Sequence, residues 1–450
     1  MKRDADDAEP DRDGGLRRTM GLLPITALGV GAMVGAGVFV LTGLAAGEAG
    51  PALVLVFALN GCIALVIGGC YAELATMMPR AGGAYIWARP ALGDIMGFFT
   101  GWCSWFAQTV ACAFYAISFG TFAAELVAEF GGGGLDPTIM AMTILALLVG
   151  TNLIGTGSSG VSQVVLAGLQ MGVIAVFIGF GLSELFGSAE PSEPFVPFLP
   201  EGPIGVLAAM GLTFIAFEGF EIIVQSSEEA RAPSRMIPRA IGLSICIVVL
   251  VYVLTAVVLI GTVEAPEGAS THEHLASLGE MGVIEAGRTV MPFGKTILLV
   301  AALASTASAL NATVFGASRV AVAMARTGDL PDLFKSVSER GAPVPALLLI
   351  AGIVAGFLLL LPIKDIAAST DIMFIIVFTL VAVSLQRLRG KRSDRDRPFR
   401  LPLVPWTTGF VIASGVALSL SLGHVSLAAW VVAAGWTALG LGYKFWLSKW

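Results

Sequence analysis

The chain has 450 residues, 56% of them hydrophobic and only 13% charged, with a mean hydropathy of +0.86. Soluble domains carry about 25% charged residues and a single membrane anchor uses about 20 residues, so this composition excludes both a water-soluble fold and a singly anchored one. The formal net charge of −6 carries meaning only once the charges are placed on either side of a membrane; the class is an all-α polytopic membrane protein.

Residues 1–20 hold six acids and five bases and read as an acidic cytoplasmic tail, not a secretory signal, because the apolar stretch that follows runs into Gly-rich sequence without a convincing cleavage site. Apolar runs long enough to cross a bilayer then fall near 22–46, 52–78, 95–124, 138–157, 160–186, 203–228, 237–262, 290–325, 343–362, 366–386, 402–422 and 425–447, twelve in all. An even number places both termini on one side. With that side inside, 23 of the 26 Lys and Arg residues are cytoplasmic and only Arg288, Lys295 and Lys364 lie outside, as the positive-inside rule requires. The expectation is a multi-pass protein of the cell membrane with cytoplasmic N- and C-termini. About fifteen acids, among them Glu125, Glu129, Asp136, Glu190 and Glu201, fall on the outer side, where they solvate the surface or draw cations toward it. The loop 391–401, overlapping the run QRLRGKRSDRDRPFR at 386–400, is basic and inner, a topology signal and a candidate contact for anionic lipid.

Two spans depart from plain apolar helix. The first, LPITALGVGAMVGAGVFVLTGLAAG, contains Gly29, Gly31, Gly35, Gly37, Gly43 and Gly47. Each interior glycine costs up to about 1 kcal/mol relative to alanine, so the run marks either an unwound backbone beside a cavity or close helix packing through small residues. The sixth contains GLTFIAFEGFEIIV, with Glu218 and Glu221 around Gly219 near the bilayer centre. Intramembrane acids usually face a cavity or a partner and mark function. Spans one and six are five apart, so if spans one to five and six to ten are repeats the second copy is inverted. The interrupted helices then correspond, which points to a binding site at the membrane midplane. Such a site suits a zwitterion: amides at the start of a second half-helix meet a carboxylate, and carbonyls at the end of a first half-helix meet an ammonium group or Na⁺.

Four stretches carry a family resemblance. GVGAMVGAGVF is similar to the first-span glycine motif of the amino acid, polyamine and organocation (APC) transporter superfamily, and ELATMMPRAGGAYIWARPALGDIMGFFTGW resembles its loop from span two into span three. FIAFEGFEIIVQSSEEARAPSRMIPRAI resembles its sixth span and following loop, and ASALNATVFGASRVAVAMARTGDLP the end of its eighth. The resemblance implies an amino acid permease working by alternating access, with a five-plus-five inverted-repeat, LeuT-like core. That core is residues 21–390, with repeats at about 21–187 and 203–390, and two further helices follow within 402–450. It further implies that Gly35, Ala36 and Gly37 bind the substrate carboxylate and that Phe217, Glu218, Gly219 and Phe220 hold the amino group and gate the side chain. Proton-coupled relatives carry a span-five lysine where VSQVVLAGLQ ends here in Gln170, an amide that cannot carry a proton. Glu218 also departs from the pattern, as a candidate proton site or a counter-charge for a cationic substrate.

The coupling candidates are therefore Gln170, Ser305, Ser308 and Glu218, with H⁺, Na⁺ or exchange all open; Ser305 and Ser308 would supply the hydroxyls of a Na⁺ site, or else bond their own backbone. The expected partners are a small-molecule amino acid or amine and the lipid bilayer, with no nucleic acid and no cofactor. No other metal site is expected: the five cysteines, Cys62, Cys70, Cys103, Cys112 and Cys246, sit in apolar stretches without ligand spacing, and His272 and His274 read as solvated loop residues. Trp102, Trp105, Trp446 and Trp450 fit interfacial anchoring, with Trp102 or Trp105 alternatively lining the site. No nucleophile constellation suggests an enzyme. An exchanger, a channel or a transport-inactive sensor with the same fold remain as alternatives.

Overall fold

The computed structural model describes residues 20–78, 83–154, 160–266, 270–339, 341–391 and 397–447. Expectations for the tail 1–19, Arg80, Glu267, Arg340, residues 392–396, Lys449 and Trp450 fall outside them. The described residues form α1 Leu22–Val34, α2 Thr42–Ala49, α3 Leu53–Met77, α4 Gly83–Leu92, α5 Asp94–Glu129, α6 Pro137–Ile154, α7 Gly160–Gly187, α8 Gly202–Thr213 and α9 Phe220–Gln225. They continue as α10 Pro233–Thr262, α11 Thr271–Leu278, α12 Gly282–Val290, α13 Gly294–Arg326, α14 Val344–Leu360, α15 Ile363–Lys391, α16 Trp406–Val425 and α17 Leu427–Leu447. The protein is all-α and polytopic. Among the described residues nine stretches are long and apolar enough to cross a membrane, the first of which, Leu22–Met77, contains both of the first two expected spans. α14, with 17 residues, is shorter, and α17 is less apolar.

Hydropathy explains the layering. α6, α7, α16 and α17 turn residues such as Leu147, Leu169, Phe180, Leu420 and Val431 outward, a lipid-compatible surface, and only 17% of the apolar stretch of α6 is buried. The stretch Gly202–Val224 is 89% buried, so the helix carrying intramembrane acids is the most enclosed one. Span one's glycines serve partly as close-packing residues: Gly29 faces Ile223 and Ser244, Gly43 faces Gly279, and Gly47 faces Ala276. The eighth span is shorter at its start than expected, because Phe293 takes a left-handed conformation (φ 57°) between α12 and α13.

The two ends of the bundle hold different charges. At one end α11, with a Ser270–Glu273 capping box, and α12 lie beside Glu125–Lys295 (2.5 Å) and Glu48–Lys364 (3.2 Å). His272 there faces Glu201 at 3.7 Å, a carboxylate neighbour where only solvent was expected. At the other end two buried acids gather chain segments far apart in sequence. Glu73 accepts hydrogen bonds from Arg389 Nε (2.9 Å), Arg389 Nη2 (2.5 Å) and the Leu401 amide (2.8 Å), with Arg397 at 3.6 Å. Asp329 binds Lys444 (2.6 Å), Tyr85 Oη (2.7 Å) and Arg89 (3.5 Å). Burial, with Asp329 as its acceptor, pushes the Tyr85 phenol up to about 12.

Arg397 of the basic loop and Arg389 of α15 turn inward to Glu73, because a fully buried carboxylate needs counter-charge. One sequence reading is corrected here. Trp102 and Trp105 are 5% and 3% exposed, not interfacial: Trp102 stacks on Trp436 at 4.4 Å and donates its indole N–H to the Trp436 carbonyl. Trp446 is 58% exposed.

Glu73→Ala removes the counter-charge of both arginines. Breaking a buried ion pair costs about 3–5 kcal/mol, and the partial exposure of Arg389 places this case at the low end. The expected outcome is a clear drop in the thermal midpoint of detergent-purified protein, whereas Lys335→Ala, which removes an exposed pair with Asp332, leaves it unchanged.

Candidate functional site

α1 stops at Val34 because Gly35 (φ 8°, ψ −127°) leaves helical space, and after Ala36 the chain resumes as a π-helical turn Gly37–Leu41 leading into α2. The interruption is narrower than the expected 35–37, since Gly37 already belongs to the second segment. The sixth span is broken more widely. α8 tightens into a 3-10 turn Phe214–Phe217, Glu218 is extended (φ −65°, ψ 146°), and Gly219 takes φ 123° before α9 begins.

The two breaks touch. A Cβ at Gly37 would stand 2.6 Å from Tyr252 Oη and 2.9 Å from the Ala216 Cβ, and one at Gly219 would stand 2.8 Å from the Met33 amide nitrogen. Gly219 is thus required twice, by its positive φ and by the approach of α1. The carbonyls freed by the breaks are bonded by side chains from surrounding helices. The Tyr252 hydroxyl of α10 contacts both the Met33 carbonyl (2.8 Å) and the Ala216 carbonyl (2.9 Å). Ser305 of α13 donates to the Gly35 carbonyl (2.7 Å) and accepts from the Gln170 side-chain amide of α7 (2.5 Å). Asn60 of α3 bonds the Met210 carbonyl (2.8 Å) and Thr213 Oγ1 (3.0 Å) just before the second break.

Most expected residues therefore meet in one place. Gly37 lies against Ala216 and Gly219 against Ala32 and Met33, and Gln170 and Ser305 join them through the Gly35 carbonyl; Ser308 lies one turn further along α13. Phe217 and Phe220 are 1% exposed and held in aromatic clusters, Phe217 against Phe57 and Tyr252, Phe220 against Tyr71 and Phe378. Glu218 and Glu221 are buried, each with Oε2 lacking a hydrogen-bond partner. Asp371 of α15 is fully buried, with both carboxylate oxygens lacking one. Sequence reasoning passed over Asp371, although the rule that marks Glu218 marks it equally: a carboxylate inside the run 366–386. Tyr252 had no such signal, because a tyrosine in an apolar run reads as filler. Among the described residues no three His, Cys, Asp or Glu side chains are arranged to hold a metal ion.

Tyr252→Phe tests the bridge. The one hydroxyl proton that the two buried carbonyls share would be lost, at about 1–3 kcal/mol, so the variant is expected to unfold at lower temperature and to exchange the amide hydrogens around 35–37 and 214–219 faster than wild type.

Comparison with known proteins agrees with this arrangement. A family model described as "Amino acid permease" matches residues 20–440. An uncharacterised transporter of Mycobacterium tuberculosis is 30% identical, over 95% of this chain and 91% of that one. A branched-chain amino acid permease of Bacillus subtilis is 26% identical, over 96% and 94%. In fold alone, the chain superposes on the crystal structure of an Eremococcus coleocola manganese transporter mutant with a TM-score of 0.60 at 13% identity, covering 95% of this chain and 94% of that one. With its interrupted helices and a match running almost end to end, the chain belongs to the amino acid permease family and is a membrane transporter of small solutes.

Proposed function

We propose that the protein is a secondary active carrier of amino acids or closely related amines, working by alternating access around the paired breaks. The observation that carries this reading is the contact of the first interruption with the second, Gly37 against Ala216 and Gly219 against Met33, since interrupted helices at corresponding places in two halves mark a transporter's central site. In this reading twelve spans comprise an inverted-repeat, LeuT-like core of residues 21–390 and two further helices. The N- and C-termini are cytoplasmic, so the Glu73 and Asp329 clusters lie on the inner side. The amides at Gly35, Ala36 and Gly37 receive the substrate carboxylate; the carbonyls of the sixth-span break, with Glu218, receive the amino group; Phe217 and Phe220 gate the side chain. The names of the Bacillus subtilis relative and of a probable GABA permease of Pseudomonas aeruginosa, 28% identical over 88% of this chain and 85% of that one, favour an amino-acid-like substrate.

Counterflow in proteoliposomes tests the class: preloaded leucine, 4-aminobutyrate or lysine should accelerate uptake of the labelled form, and failure of all three removes the reading. Gly37→Val would drive a β-branched side chain into Tyr252 and Ala216 and is expected to abolish substrate protection of protein that still elutes as wild type. Unchanged affinity would move the carboxylate site elsewhere.

Gln170 supplies an amide to Ser305, which in turn holds the Gly35 carbonyl. This chain is made of groups that do not titrate, so proton coupling, where present, uses other residues. Gln170→Ala should therefore change affinity through the lost support of Ser305 while leaving the dependence on a cation gradient as it was; loss of all gradient-driven uptake with exchange intact would place Gln170 in the coupling site.

A further inference from the structure

We propose that Asp371 binds a proton in the transport cycle, paired with Glu218 across the interruption of the sixth span; this rests on reading that interruption as the transport site. α15 places Asp371, Phe374 and Phe378 on one face by their spacing of three and seven. Phe378 meets Phe214 (6.0 Å) and Phe220 (5.5 Å), the residues on either side of the break, so the face that carries Asp371 is the one turned to it. The Ile215 amide in the 3-10 turn lies beside the Asp371 carboxylate without reaching hydrogen-bond geometry, and Glu218 lies close enough to feel the charges of both Glu221 and Asp371.

The break and Asp371 are independent observations. One is a backbone interruption in α8–α9, the other a fully buried side chain from a different helix with no partner on either oxygen. Among the described residues no basic side chain pairs with these acids. Glu73 and Asp329 hold ion pairs at one end of the bundle and Glu48, Glu125, Glu201 and Glu285 at the other. Facing Glu218 are Tyr71 of α3, Cys112 and Tyr115 of α5 and Glu221 of α9, none of them cationic; α4 and α17, which pack on α15, carry Arg89 and Lys444, both bound to Asp329. α8, also packed on α15, has no titratable side chain, and α16 carries only His424, in its last turn. Ionised carboxylates here would meet both desolvation and mutual repulsion, so the enclosed form holds Asp371 neutral. Opening the break to water on one side at a time removes that constraint. The carboxylate takes a proton from water on the side of higher proton activity, carries it through the enclosed form as a carboxylic acid, and returns it to water on the other side. Gln170 leaves this role vacant on the fifth span, and Asp371 with Glu218 fills it on the tenth and sixth.

The experiment has two readings on purified protein in proteoliposomes. Infrared difference spectra between wild type and Asp371→Asn, at neutral pH, should contain a D₂O-sensitive carboxylic acid carbonyl band that the variant lacks; its absence from wild type overturns the proposal without any substrate. With leucine, 4-aminobutyrate and lysine as labelled probes, the ratio of uptake with and without an inward proton gradient should exceed one in wild type and fall to one in Asp371→Asn, while Asp371→Glu restores both band and ratio. A ratio in Asp371→Asn equal to that of wild type, or selective loss of lysine alone, overturns proton binding in favour of a structural or substrate-pairing role. Failure of counterflow in wild type defeats the carrier reading, and the infrared band then still decides whether Asp371 holds a proton.

Discussion

A helix can be broken inside a bilayer only where other groups bond the freed carbonyls, and in this protein that condition is met largely by one hydroxyl. Tyr252 stands between the Met33 and Ala216 carbonyls, so the two interruptions share a donor and are fixed relative to each other. Everything nearby conforms to that bridge: Gly37 has no side chain because Tyr252 and Ala216 occupy its Cβ position, and Gly219 has none because α1 ends against it.

The surrounding helices act as a frame for the broken pair. α10 brings Tyr252, α13 brings Ser305, α7 brings Gln170 and α3 brings Asn60. Each gives a short polar contact to a carbonyl or side chain at or just before a break. A moving element can exchange such contacts for water without leaving a large buried charge. The acids at the break are different in kind, because neither the frame nor the broken helices supply a base for them.

Much of this was legible in the sequence because lipid imposes simple rules. Runs of apolar length marked the spans, and glycines or acids within those runs were costly enough to mark the two breaks. Gly35 and Gly219 were found as interruptions for that reason. The division of labour within span one was not legible: Gly29, Gly43 and Gly47 pack against partners more than 150 residues away, and glycine at a break looks like glycine at a contact. The pairing of Glu73 with Arg389, 316 residues apart, was hidden because a basic loop reads as exposed. Trp102 was misplaced because a tryptophan near the end of a span resembles an interfacial anchor until Trp436 is known to stack on it. Asp371 was visible by the same rule as Glu218, and only its neighbour had to come from three dimensions.

The Asp329 cluster also bears on how the chain is made. Synthesis proceeds from the N-terminus and segments fold as they emerge. Asp329 therefore leaves the ribosome 115 residues ahead of Lys444, and Glu73 precedes Arg389 by 316. Until those bases arrive, each acid sits at the end of a finished helix with its main counter-charge still unmade. Arg89, already present, reaches Asp329 only at 3.5 Å. The later helices thus complete the electrostatics of the earlier ones, and this end of a nascent chain holds buried acids without their main bases until α15 and α17 have been made.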